Sequence, residues 1–133
     1  MISIALALTL TAAPPKSQAL LDKGKQSFMT NCMACHGEKG AGDGPGAAAL
    51  NPKPRNYAKD PFKQGDKPEE LFNTLTKGVP NTPMVAFAHI PEEERWALVY
   101  WVLELKNAGN PAPATVDAGS PSKSAQPPPA KKK

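Results

Sequence analysis

The chain has 133 residues, enough for one domain with extensions and a core of limited size. Its 16 prolines and 10 glycines, set against four Phe, two Tyr and two Trp, imply long irregular stretches and few aromatic packing centres. The net charge of +4 does not mark a nucleic-acid binder, because residues 20–107 balance nine Lys and two Arg against four Asp and seven Glu; the excess sits outside them, so the central part lacks the basic face that such a partner requires.

Residues 1–13, MISIALALTLTAA, are apolar and stop at Pro14-Pro15. As a helix this run covers about 18 Å, short of the roughly 30 Å hydrocarbon core of a bilayer. Its length suits the h-region of a secretory signal, and Ser17-Gln18-Ala19 supplies a small-x-small cleavage site, giving residues 1–19 as leader and a mature start near Leu20. No Lys or Arg precedes the run, so the other reading is an uncleaved apolar segment that packs on a partner or enters a membrane interface.

A first helix is expected from about Gln18 to Ala34, with Ser17 as N-cap and Leu20, Leu21, Gly24, Phe28 and Asn31 on one side at spacings of three and four. Gly24 costs about 1 kcal/mol relative to Ala inside a helix, which makes sense where another helix crosses closely.

At its end stands Cys32-Met33-Ala34-Cys35-His36, with the only two cysteines of the chain. A thioredoxin-like pair would open a helix after a strand, and no strand precedes this one. A structural zinc site needs four ligands, whereas His89 is the only other Cys or His. A disulfide between Cys32 and Cys35 would close a very small loop and stabilise little. Cys-x-x-Cys-His reads instead as covalent attachment of one c-type haem: each thiol bonds a vinyl group, and the adjacent histidine reaches the iron beneath the same porphyrin edge.

Residues 37–64 are nearly devoid of large apolar side chains. A loop this long fits a compact domain when it wraps around something. A second helix follows at about Pro68 to Lys77, with Glu69 and Glu70 in its first turn, Gly78 at its end, and Leu71, Phe72 and Leu75 as its buried side. The third begins at Pro91, carries Glu92, Glu93 and Glu94 at its N-terminal end, and stops at Gly109; Ala97, Leu98, Trp101, Val102 and Leu105 recur at helical spacing. Nowhere does the chain sustain the period-two alternation of a strand.

Between these two helices runs the proline-stiffened segment Gly78 to Phe87, which contains Met84. Restricted backbone suits a strap that presents one thioether to a porphyrin face, so Met84 is the preferred sixth iron ligand. Met29 and Met33 belong to the first helix and its motif. His89 is the competing ligand, with a plainer role as the residue that enters the third helix.

Residues 110–133 hold six prolines, many Ala and Ser, and one Val as their largest apolar side chain. They read as a disordered Pro/Ala/Lys-rich tail. Lys131, Lys132 and Lys133 would make weak contact with an anionic surface, or simply solubilise.

Between about Leu20 and Asn107 the sequence resembles the class I c-type cytochromes, small monohaem electron carriers of bacterial type. The resemblance rests on Gly24 and Phe28 before the Cys32 to His36 motif, on Gly78-Val79-Pro80 leading to Met84, on Trp101 with Leu105, and on the proline-rich Asn51 to Tyr57. It implies an all-α cytochrome c fold, three main helices and long loops around one haem c, over residues 20–109. It also implies thioether bonds at Cys32 and Cys35 and iron ligands His36 and Met84. The implied function is one-electron transfer in a bacterial periplasmic respiratory chain, with redox proteins as donor and acceptor and no enzymatic turnover. The alternatives are a fixed subunit of a membrane respiratory complex and a haem enzyme or sensor whose sixth site is open.

Overall fold

The computed structural model describes residues 12–109. The expected leader up to Thr11 and the expected tail from Asn110 lie outside the described residues. Four helices form, α1 Gln18–Asn31, α2 Met33–His36, α3 Pro68–Lys77 and α4 Glu92–Gly109, together with a short 3₁₀ turn at Ala47–Ala49. Among the described residues there is no strand.

α1 starts as its sequence dictates, with the Leu20 amide donating to Ser17 Oγ at 3.2 Å. It ends three residues earlier than expected. Asn31 turns its side-chain amide back onto the Ser27 carbonyl at 3.0 Å and the Ser27 hydroxyl at 3.1 Å, a local competition that disfavours further regular helix. Cys32 leaves the helical region at φ −123°. The attachment motif therefore winds as its own turn, α2, closed by the His36 amide donating to the Cys32 carbonyl at 2.9 Å.

α1 and α4 cross at the centre of the molecule. A Cβ on Gly24 would stand 2.1 Å from the Ala97 carbonyl oxygen and 3.1 Å from Trp101 Cβ, so the glycine sets how closely the backbones approach. Ala97 rather than Trp101 is the nearer neighbour. Phe28, Leu98 and Val99 are fully buried here. α3 lays Leu71 and Leu75 against the same core, while Phe72 remains half-buried and stacks on Trp96 at 4.2 Å with Arg95 over its ring. The Glu70 carboxylate accepts the Lys67 amide at 3.0 Å where α3 begins.

Packing begins upstream of the expected start at Leu20. Ala13 lies against the core, the Tyr100 hydroxyl donates to the Pro14 carbonyl at 2.6 Å, and Lys16 pairs with Glu104. Pro14 and Lys16 are thus tied to α4.

Candidate functional site

The glycine-rich stretch after the motif binds back onto α2. The carbonyls of Ala34, Cys35 and His36, left open by so short a helix, accept amides from Gly46 at 2.8 Å, Gly44 at 3.1 Å and Gly42 at 2.8 Å. This segment is a cap for the motif, and the motif's turn is held rigid by it. Farther along, the Tyr57 amide donates to the Gly40 carbonyl at 2.8 Å and seats the proline-rich loop beside His36.

The strap is held by its own bonds. Gly78 closes α3 at φ +72°, the Val79 amide donates to the Met84 carbonyl at 3.0 Å, and the Thr82 hydroxyl accepts from the Met84 amide at 3.2 Å. The Phe87 amide then returns to the Leu75 carbonyl at 2.8 Å. These three hydrogen bonds fix the strap, two of them at Met84 itself.

A cavity of about 570 Å³ lies among these parts, within the roughly 300–1,000 Å³ of cofactor sites. Cys32, Cys35 and His36 line it from the motif, and Met84 lines it from the strap, 48 residues later than His36. Leu71 and Leu75 of α3 and Leu98, Val99 and Val102 of α4 make apolar walls, and Pro52, Pro54 and Tyr57 close the loop side. Met84 is the methionine among the lining residues: Met29 is exposed, and Met33 packs against the core without reaching the cavity. His89 is exposed and does not line the cavity; it tilts against Phe87 at 5.9 Å just before α4.

The thiols of Cys32 and Cys35 are free of each other. Burial, reinforced by the neighbouring Cys35, pushes the Cys32 thiol up to about 12. A reactive redox dithiol needs the opposite shift. The pKa of the His36 ring is lowered, chiefly by burial, against the opposing effect of a hydrogen bond to the Arg55 backbone; the Arg55 charge adds a smaller lowering. Its Nδ1 is buried.

Two contributors escaped the sequence reading. Arg55 lines the cavity, hydrogen-bonds the Pro61 carbonyl and covers the Phe62 ring at 5.3 Å. Tyr57 stacks on His36 with ring centroids 4.8 Å apart. Both sit in the proline-rich loop, whose sequence marks a rigid path without showing which ring it meets.

Helices folded around an apolar cavity that their own side chains leave unfilled define the class of small all-α cofactor-binding proteins. Free thiols and a neutral imidazole at that cavity fit a covalently attached haem. A family model, Cytochrome c, matches residues 21–106, and the chain belongs to the cytochrome c family, whose members carry a covalent c-type haem with iron. It is 34% identical over 74 residues to the Cbb3-type cytochrome c oxidase subunit FixP of Rhizobium meliloti (strain 1021), a match that takes in 56% of this chain and 23% of that subunit. Among solved structures it is similar to a chain of the reducing HAO-like protein complex of Kuenenia stuttgartiensis, with a TM-score of 0.66 and 30% identity, covering 71% of this chain and 47% of the other. The chain thus spans about a quarter and about half of these two relatives.

Proposed function

We propose that the protein is a one-electron carrier whose haem is bonded through Cys32 and Cys35 and ligated axially by His36 and Met84, working in an exported, respiratory setting. One observation carries this reading: the motif and the strap, distant in sequence, deliver two thiols, an imidazole and a thioether to a single apolar cavity.

When bound, the haem supplies reversible cycling of iron between two oxidation states. The chain sets the terms of that cycle. Met84 and His36 would hold the iron, a thioether ligand raising the reduction potential, and the walls of Leu71, Leu75, Leu98, Val99 and Val102 would disfavour the added charge of the oxidised form. With His36 and Met84 both holding the iron, no position would be left on it for a substrate.

The test is the visible spectrum of the oxidised full chain, matured in a host that attaches haem. A far-red methionine-to-iron band that disappears in Met84→Leu, with the haem retained and the potential lowered, supports the assignment. An unchanged midpoint in Met84→Leu contradicts it, as does a high-spin wild type that binds carbon monoxide or cyanide at low concentration. The latter result would favour an open-site haem enzyme or sensor.

A second reading, a fixed subunit of a membrane respiratory complex, is favoured by the similarity to an oxidase subunit. Among the described residues no helix is long and apolar enough to cross a membrane. Residues 1–11 and the lysines 131–133 are the parts proposed to meet a membrane surface. Co-purification of membrane subunits with the native protein would support this setting, and recovery of the whole pool as a free carrier would exclude it.

A further inference from the structure

The charges that border the cavity come from one stretch of chain: Lys53, Arg55, Asp60 and Lys63 are the Lys, Arg, Asp or Glu residues among those lining it. Three other segments at the cavity are of another kind. Residues 26–37, which hold the attachment motif, residues 44–52, and the strap with its flanks, 78–91, contain no Asp, Glu, Lys or Arg. The Gly46 amide, donating to the Ala34 carbonyl at 2.8 Å, seats the second segment against the first. Leu50, Pro52, Val79, Thr82, Pro83 and Val85 carry this uncharged surface to the cavity.

Pro52, Pro83 and Val85 are exposed and also line the cavity, so one side chain separates solvent from the space behind. Val85 is 60% exposed, the largest fraction among the bulky apolar side chains of the described residues. Its strap neighbours Pro80, Ala86 and Ala88 are exposed too. Exposed apolar groups gathered in one place mark an interaction surface, where a lone one would not. The charged stretch offers no such surface. Its large ring, Phe62, is covered by Arg55 at 5.3 Å and by Lys106 at 5.5 Å, and Arg55 is further engaged by the Pro61 carbonyl. A partner pressed on Lys53 or Lys63 would leave a buried cation unpaired unless it supplied a carboxylate.

We propose that the uncharged rim around Val85 and Leu50 is the face on which a redox protein docks, and that the partner presents an apolar, uncharged face in return. The inference rests on the reading of the chain as an electron carrier with its haem in this cavity. An electron crosses between proteins only where the covering is thin, and this rim is one side chain thick. Contact is driven by apolar burial, and the charge balance of residues 20–107 leaves no field to steer the approach. Association should then run near the unsteered rate of about 10⁵–10⁶ M⁻¹s⁻¹ and respond little to salt.

The probe is a second copy of the chain, whose rim is an apolar, uncharged face of known composition. Electron self-exchange between oxidised and reduced haem-loaded full chains, followed by NMR, should change less than about twofold as ionic strength rises from about 0.01 M to about 1 M, where the screening length falls from about 30 Å to about 3 Å. Val85→Lys sets like charges opposite each other, so the rate should fall several-fold at low salt and recover at high salt. Lys59→Glu, in the charged stretch but off the cavity, should change it less. Independently of electron flow, amide resonances of the isotope-labelled reduced chain should shift with concentration at residues 46–52 and 79–86. A wild-type rate that depends strongly on salt overturns the proposal, as does a Lys59→Glu effect equal to or larger than that of Val85→Lys. Concentration shifts confined to residues 53–63 overturn it as well, and a stable dimer would do so by making a second copy the resident occupant. Should Val85→Lys lose the far-red band or fail to accumulate, Ala49→Lys on the 3₁₀ turn replaces it; the same fall is expected, and an unchanged rate counts against the idea. Failure of the carrier reading is separable, since it would appear as a high-spin oxidised wild type before any exchange is measured.

Discussion

The α1–α4 crossing and the loops around the cavity solve the same packing problem differently. At the crossing, Gly24 lets two backbones touch, and Phe28, Leu98 and Val99 fill the space with the chain's own atoms. Across residues 37–67 and 78–90 there is little helix, and the side chains face a cavity that they line without filling. The crossing is therefore stabilised by direct burial, and the loops depend on the haem. Stability in this molecule should be unevenly distributed, with the loops at the lower end whenever the cofactor is missing.

The largest effect should come from removing that cofactor. Without it the loops around the cavity of about 570 Å³ lose the surface they pack on, a loss expected to be a large part of the roughly 5–15 kcal/mol that stabilises a typical domain. A Cys32→Ala/Cys35→Ala chain stripped of haem should lose amide protection first and furthest in the loops and strap, and keep partial helix at α1 and α4. Hydrogen exchange against the haem-loaded protein measures this, and uniform loss along the chain would show that the two regions fold as one unit. Next in size, Gly24→Ala should strike the crossing in the loaded protein. Its new methyl would meet the Ala97 carbonyl, a backbone group that cannot swing aside, so a loss of about 1–3 kcal/mol is expected. A denaturant midpoint that falls while the visible spectrum stays the same would keep the damage at the crossing; a changed spectrum would mean the strain reaches the site.

The same division decides what could be read from the sequence. The haem motif was legible because its chemistry requires five consecutive residues, and Met84 stood out through the prolines around it. α3 and α4 followed from charges at their starts and glycines at their ends. The early end of α1 was not legible: it depends on Asn31 choosing its own helix as a hydrogen-bond partner. Ser27 is buried on α1 for a similar reason, donating to Glu94 at 2.5 Å across the crossing. The role of the glycines at 42, 44 and 46 was missed because capping three carbonyls leaves no periodic signal. Tyr57 belongs to a proline-rich loop, and a loop's sequence does not state which ring it will stack on.

The N-terminal edge gives a smaller test of the crossing. A chain beginning at Leu20, where the small-x-small pattern places the mature start, would lack the Ser17 cap on α1 and the Pro14 carbonyl that Tyr100 uses. Loss of an N-cap costs about 1 kcal/mol, and a neutral hydrogen bond contributes about 1 kcal/mol more. A haem-loaded chain starting at Leu20 should thus unfold about 1–2 kcal/mol more easily than one starting at Ala12. Equal stability would mean that residues 12–17 merely lie on α4.

The smallest effect lies on the seam between the two regions, where Lys106 of α4 holds Asp66 just ahead of α3 and also covers the Phe62 ring at 5.5 Å. The hydrogen bond from Lys106, aided by its charge, lowers the pKa of Asp66 below its ordinary 3.8. A carboxylate whose folded pKa is depressed adds stability that is fully present above its unfolded pKa and is lost as pH falls through the folded value. Asp66→Asn should therefore be slightly less stable than wild type near neutral pH, with the gap closing below about pH 4. Because the pair is exposed, added salt should shrink the gap as well, screening it over a Debye length of about 10 Å at 0.1 M. Melting curves of both chains at several pH values measure this. A gap that persists in acid and in high salt would show that Asp66 acts by shape at the seam and that its charge contributes nothing there.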